Sequence, residues 1–156
     1  MTHQIALGLD LFIPDDFGFW FAGFVDGEGC FWAYAIDRPE YKTHWLGLEI
    51  KLRADDADVL RLIHTTLKVG SITRRNYKAP DKPQVRYRVN KIRDLQSVIV
   101  PLFEQYPLRS KKARDFEIWK AAVGVASLSK QGVKLSGHLW NEYCELCKQL
   151  KQIRRF

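Results

Sequence analysis

The chain has 156 residues, 46% hydrophobic and 28% charged, enough for one domain with a sizeable core. Ten Gly and six Pro are too few for a fibrous or disordered class, and no apolar run approaches the ~20 residues of a membrane span. The net charge of +7 is unevenly placed: residues 1–28 hold five acids and no Lys or Arg, so the remainder carries a balance of +12. A basic body with an acidic pole predicts a phosphate-bearing partner beside a metal-binding end. The first residues lack the basic n-region of a signal peptide and the Arg of a transit peptide. The chain is therefore read as intracellular, from a reducing compartment, neither secreted nor membrane-bound.

Residues 1–14 read as a loose arm. Pro14, with Asp15 or Asp16 as N-cap, announces a first helix. It runs through Phe17–Val25, nine residues without a polar side chain, and should stop at the glycines of "DGEG", 26–29. Strands follow at 30–36 and 45–53, with a turn around Arg38–Lys42. The second strand alternates cleanly. Leu46, Leu48, Ile50 and Leu52 share one face, and Trp45, Gly47, Glu49, Lys51 and Arg53 share the other.

Asp55 or Asp56 caps a second helix with Val59, Leu60, Ile63 and Leu67 as its apolar stripe, closed by Gly70 at C′. Strands at 71–77 and 84–90 come next, then a short helix over 91–100 broken by Pro101. A helix from Ser110 to Val125, a small polar linker over 126–135 and a final helix capped by Ser136 complete the chain. On that last helix Leu139, Tyr143, Leu146, Leu150 and Ile153 form a core stripe. Cys144 and Cys147 read as two thiols one turn apart rather than a zinc site. The order predicts an α+β fold in one domain, 1–156, with a core of about 15–125 and a helical extension of about 136–153. Its centre is a four-stranded antiparallel sheet with helices on one face and a basic, exposed opposite face.

On that exposed face the alternation places Trp32, Tyr34, Ile36 and Arg38 from the first strand and Trp45, Glu49, Lys51 and Arg53 from the second. Thr73 and Arg75 come from the third strand, Arg86 and Arg88 from the fourth. Between Ser71 and Arg93 there are eight Lys or Arg and one acid. Arg and Lys pair with phosphates and guanine edges, and Glu can accept from cytosine, so a nucleic acid is the expected partner.

The first helix is apolar all round, and one sheet covers only one side of it. A second copy about a two-fold axis would cover the other, with Phe19, Ala22, Gly23 and Asp26 expected at that seam. Two Glu28 carboxylates would then meet at its end. They repel unless a hard cation such as Mg²⁺ lies between them.

Here the sequence resembles the LAGLIDADG homing endonucleases. "FAGFVDGEG", 21–29, is similar to the name-giving motif, and "LKVGSI", 67–72, and "YPLRSKKARDF", 106–116, follow in family order. The resemblance implies an αββαββα fold with a saddle-shaped sheet gripping a long pseudo-palindromic DNA site. One motif looks like the single-motif, homodimeric class. The implied activity is site-specific double-strand DNA cleavage with Mg²⁺ or Mn²⁺, bound between two Glu28 carboxylates and the scissile phosphates. No small-molecule substrate is implied. By the same likeness Glu28 and the carbonyl of Gly27 face metal, and Lys111 matches a basic residue near the scissile phosphates. One departure is that Ala54 stands where many relatives carry Gln. A non-cleaving binder of the same fold, either an intron RNA maturase or a DNA-binding regulator, is the alternative. A structural RNA-binding protein of a ribonucleoprotein is a further one.

Overall fold

The computed structural model describes residues 11–131 and 134–154. Helix α1 spans Asp15–Glu28, and strands β1 (Gly29–Asp37) and β2 (Lys42–Arg53) follow it. A 3₁₀ turn, Ala54–Asp56, leads into α2 (Ala57–Leu67), then β3 (Ser71–Arg75) and β4 (Gln84–Val89). A helical stretch over 92–105, here α3, joins Ile92–Asp94, a π turn at Leu95–Ile99 and Val100–Gln105. Helices α4 (Lys112–Ser127) and α5 (Gly137–Ile153) end the fold. The four strands form one antiparallel sheet in the order β1-β2-β4-β3.

The expected α+β architecture is present, and several details differ for physical reasons. Leu11 and Ile13, expected in a loose arm, are buried in the core; residues 1–10 lie outside the described residues. Pro14 itself holds the N-cap place of α1 in an extended conformation, so Asp15 and Asp16 lie inside the first turn, where the helix dipole favours acids. The left-handed residue that closes α2 is Lys68 (φ 56°), two residues before Gly70. Pro101 does not end α3. The turn before it widens to π geometry, with the Val100 N–H donating to Leu95 O, and the helix continues past the proline to Gln105.

The core lies between the helices and one face of the sheet. Phe21 and Val25 of α1, Phe31 of β1, Leu48 and Ile50 of β2, Tyr87 of β4 and Trp119 of α4 are fully or almost fully buried there. β1 is an edge strand, and α4 and α5 cover its outer edge. The Trp119 indole N–H donates to Trp32 O at 3.2 Å, and the Arg154 guanidinium donates to Phe31 O. The Tyr143 hydroxyl lies 3.2 Å from Tyr34 O and 3.1 Å from Trp45 O. This burial pushes the Tyr143 phenol far above its ordinary range.

Gly47 is demanded by packing. A Cβ there would meet Val89 O at 2.5 Å and the Trp32 ring at 2.7 Å. Gly47→Ala is therefore expected to destabilise the fold by about 1–3 kcal/mol. The check is the shift in urea midpoint at unchanged slope.

Candidate nucleic-acid interface and acidic pole

The strand register puts the predicted positions on one face. Tyr34 opposes Trp45, Trp32 opposes Gly47, Glu49 opposes Arg88, Lys51 opposes Arg86, and Thr73 opposes Arg86 from the far side. Arg53 and Arg75 both flank Gln84, while Ile36 opposes Thr43 at the end of the β1–β2 hairpin. Arg38 lies in the turn, where its N–H and C=O exchange hydrogen bonds with Tyr41. Cys30, Ser71 and Gln84 share this face by register and were not singled out from the sequence.

Tyr34, Trp45, Lys51, Arg53, Thr73 and Arg75 are exposed there, whereas Trp32 and Glu49 are buried. Glu49, at 7% exposure, is the one charged residue in the buried set among the described residues. Arg88 donates to its Oε2 from Nε at 2.8 Å and also from Nη2. Lys51 Nζ stands 2.9 Å from Oε1, and Arg86 Nη1 lies 3.6 Å from Oε2. The Arg88 guanidinium also lies over the Trp32 ring, 5.0 Å from its centroid. Burial alone would raise the Glu49 pKa. The bonds and charges of Lys51 and Arg88 outweigh it and hold the carboxyl below its usual range. Glu49 is thus engaged by Arg88, Lys51 and Arg86 on its own face of the sheet.

The acidic pole shows a division of labour. Asp26 turns back onto the turn before α4. Its Oδ2 accepts the Arg109 N–H at 2.8 Å, and its Oδ1 accepts from the Ser110 N–H and hydroxyl at 3.1 and 2.6 Å. Desolvation pushes its pKa up, but the three donors and nearby Lys112 hold it below the ordinary value. A depressed carboxyl stabilises the fold above its unfolded pKa and loses that contribution as pH falls through its folded value. Asp26→Asn is therefore expected to lower Tm at neutral pH, and the gap to the parent chain should close below about pH 4. Thermal melts across pH 2.5–7 check this.

Glu28, in contrast, is exposed and makes no hydrogen bond or ion pair among the described residues. Gly27, also exposed, lies in the last turn of α1, where a carbonyl has no helical partner. Lys112 serves this helix end. Its Nζ donates to Val25 O at 2.9 Å and to Gly29 O, placing a cation at the negative end of the dipole. Desolvation lowers its pKa, against the pull of nearby acidic groups. Lys111, the residue singled out from the sequence, is exposed at the N-cap of α4, and its own C=O accepts from Arg114. Local sequence does not distinguish Lys112 from Lys111 in "KK", because its acceptors lie more than eighty residues away.

One face of α1 is uncovered. Phe19 and Trp20 are 58% and 40% exposed, and a Cβ on Gly23 or Gly27 would meet nothing within 4 Å. Of the four seam positions, Phe19 and Gly23 lie on this open face. Ala22 is buried in the chain's own core, and Asp26 is tied to the Arg109–Ser110 turn. No group of three or more His, Cys, Asp or Glu that could hold a metal occurs among the described residues, so one chain offers a single free carboxylate at this pole.

The chain is similar to known proteins over most of its length. The family described as LAGLIDADG endonuclease matches residues 21–123. A probable intron-encoded endonuclease 2 of Neurospora crassa is 35% identical over 107 residues, covering 66% of this chain and 23% of that protein. A probable intron-encoded endonuclease Cox1-I1b of Schizosaccharomyces pombe is 33% identical over 113 residues, covering 70% and 28%. Among solved structures, I-SmaMI bound to an uncleaved DNA target with calcium superposes at a TM-score of 0.74, with 24% identity over 86% of this chain and 44% of that one. I-AabMI bound to uncleaved DNA gives 0.61, with 31% identity over 74% and 40%. The chain thus spans about a quarter of these curated relatives and under half of these solved chains.

Proposed function

Because this chain belongs to the LAGLIDADG endonuclease family, we propose that it cleaves both strands of a long, specific DNA site and uses Mg²⁺ or Mn²⁺ to do so. One observation carries the reading. A free carboxylate, Glu28, sits at the end of a helix with an uncovered apolar face, at the rim of a basic sheet face. The rim follows from register: Gly29 opposes Ile50, whose neighbours Glu49 and Lys51 point to the basic side.

The metal fits the donors present. Glu28 and the Gly27 carbonyl are hard oxygen ligands, and Mg²⁺ is commonly held by one or two carboxylates plus substrate phosphates. When bound, the ion supplies charge neutralisation and an activated water at the scissile phosphate. The residues of the chain do the rest. The exposed sheet face follows the groove and backbone. Asp26 and Lys112 fix the end of α1, so that Glu28 projects at a defined place. Lys111 and Lys112 bring positive charge beside the phosphates.

A second unit of the same kind, paired across Phe19 and Gly23, would supply the second carboxylate. The solved relatives are more than twice the length matched here, which leaves room in each for such a unit. For this chain the proposed second unit is another copy of itself. Incubation with duplex DNA in Mg²⁺ and in Ca²⁺ tests the function. Discrete double-strand products only with Mg²⁺ support it. Specific binding without products in either ion supports the non-cleaving reading instead, which Ala54, an apolar residue on a 3₁₀ turn, specifically favours.

A further inference from the structure

Arginine reads guanine best when its plane is fixed before the base arrives, because a free guanidinium loses rotamer entropy on docking. The centre of the sheet face holds an arginine restrained in this way. Glu49 takes the Nε and Nη2 edge of Arg88, and the guanidinium carbon lies over the Trp32 ring, 5.0 Å from its centroid. The Nη1 end stays free, and the Arg88 side chain is still 34% exposed. Guanine O6 and N7 are met by two N–H groups at one end of a guanidinium, which this clamp leaves available. Gly47 keeps the Trp32 ring close to the sheet and thus beneath Arg88.

The charge balance agrees. Lys51, Arg86 and Arg88 surround one carboxylate, so the centre remains net positive. It also holds more donors than Glu49 can use: Trp32 Nε1 and Arg86 Nε have no acceptor among the described residues. All four strands meet at this place, because Glu49 opposes Cys30 on one side and Arg88 on the other, and Arg88 in turn opposes Ser71.

We propose that Glu49 is a positioning residue for sequence readout, holding Arg88 against Trp32 as a rigid reader of one guanine in the major groove of the target. This rests on the DNA-cleavage reading above and deepens it. It assigns a specificity-determining centre and the base it selects, and Glu49 itself touches no base.

The test selects bound duplexes from a randomised DNA library in Ca²⁺ with the parent chain, Glu49→Gln and Arg88→Ala. The parent should enrich a motif containing one G·C pair per chain that both variants lose, each by about 5- to 100-fold in preference at that same pair. Glu49→Gln should at the same time bind random-sequence duplex more tightly, since it removes a negative charge from the face. General damage to the fold would weaken both kinds of binding, so the opposite signs separate positioning from structure. Circular dichroism and Tm confirm folding, and Glu49→Asp should restore part of the preference. If the parent enriches a motif that Glu49→Gln retains in full, or the two variants lose different base pairs, the inference is overturned and the DNA reading stands. A parent chain that enriches no sequence overturns both.

Discussion

Replacing Glu28 by Gln is expected to stop strand cleavage while leaving DNA binding intact. The substitution keeps volume and polarity and removes one charge per chain at the pole of α1. Because Glu28 has no partner among the described residues, its loss should leave Tm unchanged. A ligand with no structural job can be removed without damage to anything but the chemistry. The expected fall in single-turnover cleavage is more than about 10²-fold, since transition-state charge then lacks its counter-ion. Affinity for duplex in Ca²⁺ should hold or rise slightly as negative charge leaves the site. Both strands still cut at the parent rate would sink the assignment of Glu28 as the metal-binding group. The comparison with Asp26→Asn sharpens the result. These two acids stand two residues apart, yet Asp26 should report in stability and Glu28 in catalysis.

The second large effect is expected at Lys112. Methionine there keeps the buried stem and removes the ammonium, so Val25 O and Gly29 O lose their shared donor. Losing a charged hydrogen-bond donor at a part-buried site costs about 1–3 kcal/mol, and Tm should fall accordingly. Cleavage should fall further than stability explains, by about 10²-fold at saturating DNA. The exposed neighbour supplies the control. Lys111→Met should leave Tm unchanged, because the exposed side chain makes no hydrogen bond or ion pair among the described residues. If Lys111 is the lysine that meets the phosphates, its substitution alone lowers the single-turnover rate strongly. If Lys112 does so, Lys111→Met leaves the single-turnover rate near that of the parent chain and the salt dependence of binding unchanged.

The sequence made much of this architecture legible, for local reasons. Alternation in Trp45–Arg53 identified β2 and its two faces, since period 2 is a property of the strand alone. The apolar run of α1 identified the helix and predicted a side that the sheet cannot cover, and Phe19 and Gly23 lie on such a side.

What stayed hidden depends on contacts distant in sequence. Asp26 and Lys112 meet partners more than eighty residues away, so nothing within the motif separates the structural acid from the free one. Glu49 sits on the polar side of an alternating strand and reads as exposed. Its partners are cross-strand and same-strand cations, Arg88, Arg86 and Lys51, which the alternation alone does not pair with it. Pro101 reads as a helix end unless the π turn before it is known. Ala22 looked like a seam residue because it is small, a property that serves a chain's own core equally well.

The cover over the edge of β1 bears on how this unit could be moved between proteins. The match to the family's sequence pattern ends at residue 123, yet Arg154, which donates to Phe31 O of β1, and Tyr143, whose hydroxyl meets Tyr34 O of β1 and Trp45 O of β2, come after it, and Leu11 and Ile13, which fill the core, come before residue 21. A graft cut at the limits of likeness would carry an open strand edge and an incomplete core, and would pair with other chains through that edge. The transferable piece is therefore longer than the segment that matches the family's sequence pattern. A fusion that keeps 11–154 should stay dispersed, whereas one trimmed to 21–123 should aggregate.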